Sequence, residues 1–192
     1  MHAQKMDPSL VSARCFRAML EAMSRPGSIQ ALPETPAAPG SMPPGLAALC
    51  LTLADMDSPL WLDPSADPEC AEWLRFHCGC PLVQNPEDAA LACVLDPANM
   101  PELRAYSQGD PEYPDRSTTV FIPVTGMAEG RGTRLKGPGI KRERLFEAEG
   151  LPQGFWKQWK QNSARYPQGV DVFFVSGSSI AGLPRSVRAE VL

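Results

Sequence analysis

Histidine is almost absent from this chain of 192 residues, which contains only His2 and His77. His2 stands beside the N-terminus, so a mechanism that uses an imidazole as acid or base must use His77. No Gly-x-Ser-x-Gly segment offers a nucleophilic serine to pair with a histidine. His77 is therefore the one catalytic candidate, and a half-buried helix residue with a hydrogen-bonded ring is the competing interpretation.

The sequence also has no long hydrophobic run and no pattern typical of a secretory signal. The longest apolar stretch, Leu46–Ala54, contains Thr52 and is far shorter than the roughly 20 residues that span a bilayer. Lys5 and Asp7 interrupt the N-terminal region, where a signal peptide would carry its apolar segment. We therefore expect a cytoplasmic protein whose six cysteines are reduced thiols.

Metal-binding patterns are weak. Four possible zinc ligands lie close together in the sequence: Cys70, His77, Cys78 and Cys80. The single residue between Cys78 and Cys80 differs from the spacing of about two to four residues in zinc sites, and no second pair follows. Asp55 and Asp57 could bind magnesium, but two carboxylates in a turn are also typical of the exit from a helix. We expect no metal site.

The net charge of −4 hides two regions of opposite sign. Residues 1–130 hold 7 basic and 17 acidic side chains, whereas residues 131–192 hold 11 basic and 5 acidic ones. The negative total disfavours general nucleic-acid binding, which depends on the summed neutralisation of phosphates. A local anion site, or a face that docks an acidic partner, remains open in the basic region.

The basic region is densest around a Gly-Pro-Gly turn, with six cations: Arg131, Arg134, Lys136, Lys141, Arg142 and Arg144. Gly132–Gly137 matches the first part of a phosphate-binding P-loop, but Pro138 and Gly139 stand where that loop needs lysine and a hydroxyl residue. This departure excludes nucleotide hydrolysis through the loop. Gly137 and Gly139 could still bring backbone N–H groups close to a ligand beside Arg134. A solvated hairpin without a ligand is the alternative.

Hydrophobic periodicity and turn residues predict a single α/β domain over residues 1–192. The predicted helices are Ser12–Met23, Leu46–Ala54, Pro68–Cys78, Met100–Ser107 and Gly154–Ala164. The predicted strands are Pro59–Leu62, Ala90–Leu95, Thr118–Val124, Thr133–Lys136, Val170–Val175 and Ile180–Arg185. Gly126–Gly130 is predicted to form a hairpin turn between the strands on either side of it. Helices that flank short strands favour a mixed β-sheet sandwiched by helices, rather than a simple doubly wound parallel sheet.

Several segments, in the same order along nearly the entire chain, resemble the PhnH family, whose members are subunits of the bacterial carbon–phosphorus lyase system. The segments are Phe16–Gly27, Leu51–Leu62, Leu74–His77, Pro81–Val83, Leu135–Ile140, Tyr166–Asp171 and Leu183–Arg185. The resemblance implies a role in using phosphonates as a phosphorus source. It also implies a core complex with the PhnG, PhnI and PhnJ subunits. With PhnG, PhnI and the ATPase-like PhnL, the family is associated with forming α-D-ribose 1-methylphosphonate 5-triphosphate from ATP and methylphosphonate.

The resemblance further implies a homodimer and a fold like that of pyridoxal-phosphate-dependent transferases, without the cofactor. A pyridoxal enzyme needs a buried lysine for its Schiff base. The lysines available are Lys5, Lys136, Lys141, Lys157 and Lys160, and none of them lies in a convincing apolar segment. We therefore expect no cofactor.

The leading hypothesis is a subunit that does not catalyse alone and helps to hold a phosphorylated ribose or a phosphonate. The candidate phosphate- or phosphonate-binding residues are Arg25, Gly27, Arg134, Gly137, Gly139 and Arg185. The cations interpreted as surface charge are Arg131, Lys141, Arg142 and Arg144. A pure scaffold that docks sister subunits is the second hypothesis. An independent transferase that uses His77 and Arg75 on a phosphorylated sugar is the third.

Overall fold

The computed structural model describes residues 8–192, so His2, Lys5 and Asp7 lie outside the described residues. The α-helices of this part are α1 (Pro8–Ser24), α2 (Pro44–Leu53), α3 (Pro68–Cys78) and α4 (Phe155–Ser163). The strands are β1 (Ile29–Ala31), β2 (Leu60–Leu62), β3 (Leu82–Val83), β4 (Leu91–Cys93), β5 (Thr119–Pro123), β6 (Gly126–Lys136), β7 (Arg144–Glu149), β8 (Asp171–Ser176), β9 (Ser179–Leu183) and β10 (Arg188–Glu190).

Proline and glycine explain several helix boundaries. α2 and α3 each begin with a proline, whose fixed φ suits the first helical turn and whose missing N–H needs no partner there. Gly79 ends α3 in the left-handed conformation at φ +65°, and its N–H bonds the Arg75 carbonyl at 3.2 Å. These signals are local, so the bounds of α3 match the prediction.

A mixed sheet in the order β1-β9-β8-β5-β4-β2-β3 forms the centre of the molecule. Strands β3, β2, β4, β5 and β8 run parallel to one another. β9 is antiparallel to both of its neighbours, β8 and β1. The strands predicted for the main sheet are therefore confirmed within one to two residues at most ends, and the sheet is mixed as predicted.

Alternate residues of the central strands enter two separate cores. Phe121, Phe173 and Val175 pack on one face with the buried sides of α1, α2 and α3. On the other face, Ile122 and Phe174 join a cluster that includes α4 and residues of a small second sheet. Because side chains alternate across a strand, both faces of these central strands are apolar, as expected for a buried sheet.

The small sheet has the order β10-β6-β7, with both pairings antiparallel. The prediction that Gly126–Gly130 turns the chain into a hairpin was wrong, because these residues lie within the long strand β6, which pairs with β7. The register shifts between Glu129 and Thr133, where glycines at 130 and 132 have positive φ values. Glycine here permits a bulge rather than a reversal. The reversal comes at the Gly-Pro-Gly segment between β6 and β7.

Three further predictions differ from the structure. Residues 100–107 contain only a short 3₁₀ turn, Leu103–Ala105, rather than an α-helix. The spacing of Phe16, Met19 and Leu20 within Ser12–Met23 predicts one buried apolar face, but Phe16 and Leu20 are 45% and 55% exposed, while Met19 is buried. His77 is exposed rather than half-buried, and its ring lies against those of Trp73 and Phe76.

Within residues 8–192, no helix has the length and apolar character needed to cross a membrane.

Candidate functional site

The end of α1 forms a tight turn, Ser24–Gly27, at the edge of the main sheet. The Arg25 carbonyl accepts bonds from the Ser28 N–H at 3.0 Å and from the Ser28 hydroxyl at 2.7 Å. Gly27 has φ +73° and donates its N–H to the Gly182 carbonyl at 3.1 Å. The turn is thus fixed both to itself and to β9, and it presents Arg25 outward.

The Gly-Pro-Gly turn packs directly on this α1 turn instead of projecting into solvent. A Cβ atom at Gly139 would lie only 2.1 Å from the Ser24 carbonyl oxygen, so no side chain fits at that position. Arg144 donates from Nη1 to the carbonyl oxygens of Arg25 and Pro26, at 3.1 and 3.2 Å. The interpretation of Arg144 as surface charge was wrong, because its guanidinium joins β7 to the end of α1.

A third segment, Pro184–Val187, meets the same turn from the side of β9. A Cβ at Gly137 would lie 3.0 Å from the Ser186 carbonyl and 3.1 Å from the Val187 Cα. Ser24–Gly27, Gly137–Gly139 and Pro184–Val187 therefore form one contact region, which we name the turn junction. Three sequence segments that carry predicted site residues converge there.

The side chain of Arg185, a residue of the junction, is held by a carboxylate outside the junction. Its guanidinium forms a bidentate pair with Asp171, with Nε–Oδ1 and Nε–Oδ2 distances of 3.1 and 3.2 Å, and Nη1 donates to the Pro114 carbonyl. The Arg185 N–H also donates to Asp171 Oδ1 at 2.7 Å. The two side chains are only 15% and 20% exposed. This geometry makes Arg185 a structural link between β8 and the junction.

The other two candidate arginines form more exposed ion pairs. Arg25 lies 2.9 Å from Glu21, with 64% of the arginine side chain exposed. Arg134 on β6 lies 3.3 Å from Glu143 and 3.2 Å from Glu190, and its side chain is 30% exposed. Exposed pairs of this kind contribute about 0–1 kcal/mol each. An anion could therefore compete with these carboxylates at little cost.

The structure does not bring His77 to the junction. His77 lies near the end of α3, which leads to β3 at one edge of the main sheet, whereas the Ser24–Gly27 turn precedes β1 at the other edge. Asp55 accepts bonds from the Asp57 N–H and the Ser58 hydroxyl, an arrangement typical of a helix exit. Among residues 8–192, no group of three or more metal-ligand side chains is arranged to hold a metal ion.

Sequence reasoning missed Asp63, which joins the carboxyl ends of β2 and β4. Its carboxylate accepts from the N–H groups of Leu95 and Asp96 at 3.0 Å each, and from the Ser65 N–H at 2.9 Å. Burial raises the pKa of the Asp63 carboxyl, but these hydrogen bonds outweigh burial and the pKa lies below its usual value. Ligands often bind at the carboxyl ends of parallel strands. Here the Asp63 carboxylate already accepts the N–H groups of Leu95 and Asp96, so these two donors are occupied. Only the long-range pairing of β2 with β4 reveals this role.

A wide groove lies between α4 and β10, with a volume of about 990 Å³. Lys157, Lys160 and Arg188 line it, together with the rings of Trp156 and Tyr166. In the part of the chain that the structure describes, these three cations have no carboxylate within 4.0 Å. The groove therefore combines aromatic surface with three cations that form no such pair, and Glu190, which pairs with Arg134, also lines it.

Comparisons with known proteins agree with the order of the sequence segments. Residues 4–190 match the family model described as bacterial phosphonate metabolism protein PhnH. The chain is 32% identical over 185 residues to the α-D-ribose 1-methylphosphonate 5-triphosphate synthase subunit PhnH of Rhizobium meliloti, covering 96% of this chain and 92% of that protein. It is 39% identical over 83 residues to HtxG of Stutzerimonas stutzeri, which is named as a putative C–P lyase subunit protein, covering 43% of each chain. The chain thus belongs to the PhnH family of bacterial phosphonate metabolism proteins.

Proposed function

We propose that this chain is a non-catalytic subunit of the complex that makes α-D-ribose 1-methylphosphonate 5-triphosphate. The family match over residues 4–190 carries this proposal, and the name of the Rhizobium meliloti relative supplies the reaction. The proposed partners are subunits of the PhnG, PhnI and PhnJ types and a PhnL-type ATPase. The exposed position of His77, away from the junction, gives no support to the third hypothesis of an independent transferase.

The turn junction is the proposed site for phosphate or phosphonate oxygens. Arg25 is the proposed contact residue of the junction, because the exposed carboxylate of Glu21 that pairs with it can be displaced. Arg134 on β6 is the second candidate, and its side chain lies on the opposite face of the small sheet from that of Leu135, which faces Gly27. Gly27, Gly137 and Gly139 allow the backbone segments to approach closely, because a Cβ atom at these positions would lie 2.7, 3.0 and 2.1 Å from a neighbouring segment. Arg185 is proposed as a positioning residue, since its Nε and Nη2 bond the Asp171 carboxylate and its Nη1 donates to the Pro114 carbonyl.

Calorimetric titration of the purified protein with ribose 5-phosphate and with methylphosphonate tests this site. A charge-assisted contact contributes about 1.5–3 kcal/mol, so Arg25→Ala should weaken binding by roughly 10- to 150-fold. Glu21→Gln should tighten binding, because it removes the carboxylate that competes for Arg25. Arg104→Ala is the matched control, since Arg104 forms an exposed ion pair with Glu102 elsewhere. Absence of heat with either ligand, alone and with the partner subunits, excludes the site.

The groove between α4 and β10 supports a second candidate function, the pure scaffold. Its cations Lys157, Lys160 and Arg188, which exceed the single carboxylate of Glu190 in the groove, fit an acidic surface of a sister subunit. We expect Lys157→Glu combined with Lys160→Glu to reduce co-purification with the partner subunits, while Arg104→Glu leaves it intact. A scaffold alone predicts this loss together with no effect of phosphonate on complex formation.

The homodimer and the fold relationship also belong to this proposal. The exposed Phe16 and Leu20 on α1 offer an apolar face for a second copy of the chain. Leu20→Glu should then yield a monomer in light scattering after size exclusion.

The mixed sheet covered on both faces supports a transferase-like fold without pyridoxal phosphate. Adding that cofactor should produce no aldimine absorption band. We also propose a cytoplasmic location, in keeping with the free thiols.

A further inference from the structure

Strand β10 has one edge without a partner strand. It is an edge strand of the small sheet, where residues 188–190 pair with residues 134–136 of β6. Within residues 8–192, no other strand pairs with β10. In an antiparallel pair, a residue that does not bond its opposite neighbour directs its N–H and C=O to the other side. The free edge of β10 therefore presents backbone donors and acceptors, either of Ala189 or of Arg188 and Glu190.

The groove between α4 and β10 runs along this free edge. Four consecutive residues, 188–191, line it, and in the described part of the chain no residue of β6 does. Because successive side chains of a strand point to opposite faces, a groove on one face would be lined by alternate residues only. Contact with all four residues places the groove beside the backbone of β10, on the side away from β6. Residues of α4 form the other wall.

The groove has room for one further strand. A strand rises about 3.3 Å per residue, lies about 4.8 Å from its neighbour and fills a layer about 10 Å deep, so four residues occupy roughly 630 Å³. The groove volume of about 990 Å³ exceeds this. An extended segment as long as β10 can therefore lie in the groove at the spacing of a paired strand.

The charges around the free edge select the chemistry of such a segment. Lys157 and Lys160 on α4 and Arg188 on β10 are exposed and line the groove, against the single carboxylate of Glu190. Lys157 and Lys160 are three residues apart, so they lie on the same side of the helix. In an added strand every second side chain points to one side, so carboxylates at alternate positions can reach these cations. The groove therefore fits an extended acidic segment.

Charged side chains beside a free edge can also serve only to prevent unwanted strand pairing. A charge of either sign serves that purpose, so glutamate in place of Lys157 and Lys160 would protect the edge equally well. Recognition of an acidic segment depends on the sign of the charge. Reversal of the charge therefore separates recognition from protection.

We propose that an extended acidic segment of a sister subunit adds to β10 as a fourth strand of the small sheet. This inference rests on the scaffold function proposed above and names its binding mode. The backbone of the segment bonds the free N–H and C=O groups of β10, and its carboxylates pair with the cations of α4 and β10. In strand addition the main-chain bonds provide affinity, and the alternate side chains provide specificity.

Amide hydrogen exchange of the unsubstituted protein, alone and in complex with the partner subunits, tests the added strand. In the free protein, the outward amides of residues 188–191 exchange with solvent. In the complex, at least one of these amides should exchange at least about tenfold more slowly, because it bonds the added strand. A photoreactive phenylalanine analogue in place of Val191, which is 65% exposed, should crosslink to a segment of a partner subunit rich in Asp and Glu.

A pair of double variants tests the role of charge. Lys157→Glu with Lys160→Glu should weaken the complex and remove the slowing of exchange at residues 188–191. Lys141→Glu with Arg142→Glu is the matched control, because it makes the same change of charge at two exposed residues outside the groove. The control should retain both the complex and the slow exchange.

The outcomes separate this inference from the scaffold function. If the groove variant loses co-purification but exchange at residues 188–191 is unchanged in the unsubstituted complex, the added strand is wrong and the scaffold stands. A complex that forms equally well with the groove variant contradicts both. Slow exchange produced by methylphosphonate or ribose 5-phosphate without partner subunits, or a crosslink from position 191 to a second copy of the chain, also overturns the acidic segment.

Discussion

Replacing Gly139 with alanine should destabilise the protein much more than the same change at Gly130. Both glycines have left-handed φ values, +80° and +82°. Alanine at either position should therefore lower the free energy of unfolding by about 1–2 kcal/mol, because a residue with a Cβ atom disfavours that conformation. A Cβ at Gly139 would lie 2.1 Å from the Ser24 carbonyl oxygen, whereas a Cβ at Gly130 meets no atom within 4 Å. The difference between the two variants therefore isolates the close approach of the Gly-Pro-Gly turn to the end of α1.

The magnitude follows from that contact. To relieve the clash between an alanine Cβ at position 139 and the Ser24 carbonyl oxygen, the Gly-Pro-Gly turn and the end of α1 must separate by about 1 Å. Overpacking of a close-packed region costs about 1–3 kcal/mol. We expect the free energy of unfolding to fall by about 1–2 kcal/mol for Gly130→Ala and by about 2–5 kcal/mol for Gly139→Ala. Urea unfolding followed by tryptophan fluorescence measures both values. Equal losses in the two variants would refute the assigned packing of the junction.

Three other perturbations test separate parts of the site. Arg185→Met should lower the free energy of unfolding by about 3–5 kcal/mol, because it leaves the Asp171 carboxylate partly buried without its partner. A smaller loss than that of Arg25→Ala, which removes an exposed ion pair, would contradict the structural role of Arg185. Arg25→Ala itself should cost less than about 1 kcal/mol in thermal or urea unfolding, since its ion pair is exposed. Asp63→Asn should destabilise the protein at neutral pH. Because the folded pKa of Asp63 is lowered, its stabilisation is present above the unfolded pKa and is lost as pH falls through the folded pKa, so the gap between original and variant should narrow in acid. A gap that is constant with pH would show that the carboxylate charge contributes nothing.

Local sequence signals predicted four α-helices correctly, because proline, glycine and apolar spacing act over a few residues, whereas the fifth predicted helix, Met100–Ser107, contains only a 3₁₀ turn. The bounds of α3 follow from Pro68 and Gly79 alone. The same signals failed at Gly126–Gly130, since a glycine with positive φ fits either a turn or a bulge. Which of these forms depends on β7, which begins at Arg144 and pairs with β6 on both sides of the bulge. Pairing at that distance is not visible in a local pattern.

The sequence named segments of the candidate site but not their arrangement. The segments around Arg25, Gly139 and Arg185 do converge, yet the roles of their side chains depend on partners far away in sequence. Asp171 holds Arg185 from 14 residues away, and Glu190 pairs with Arg134 across 56 residues. No charge pattern along the chain distinguishes an arginine that is paired inside the fold from one that faces a ligand. Tertiary packing alone makes that distinction.

The bond from Arg144 to the α1 turn has a consequence for how the chain folds on the ribosome. The donor is 119 residues later in the sequence than the Arg25 carbonyl that accepts it. At ~5–20 residues synthesised per second, the nascent turn waits on the order of 10 s for this partner. During that interval, β9, against which α1 packs, has not been synthesised, and α2 is the helix available to cover α1. Synthesis of the C-terminal half therefore decides when the N-terminal helix can dock.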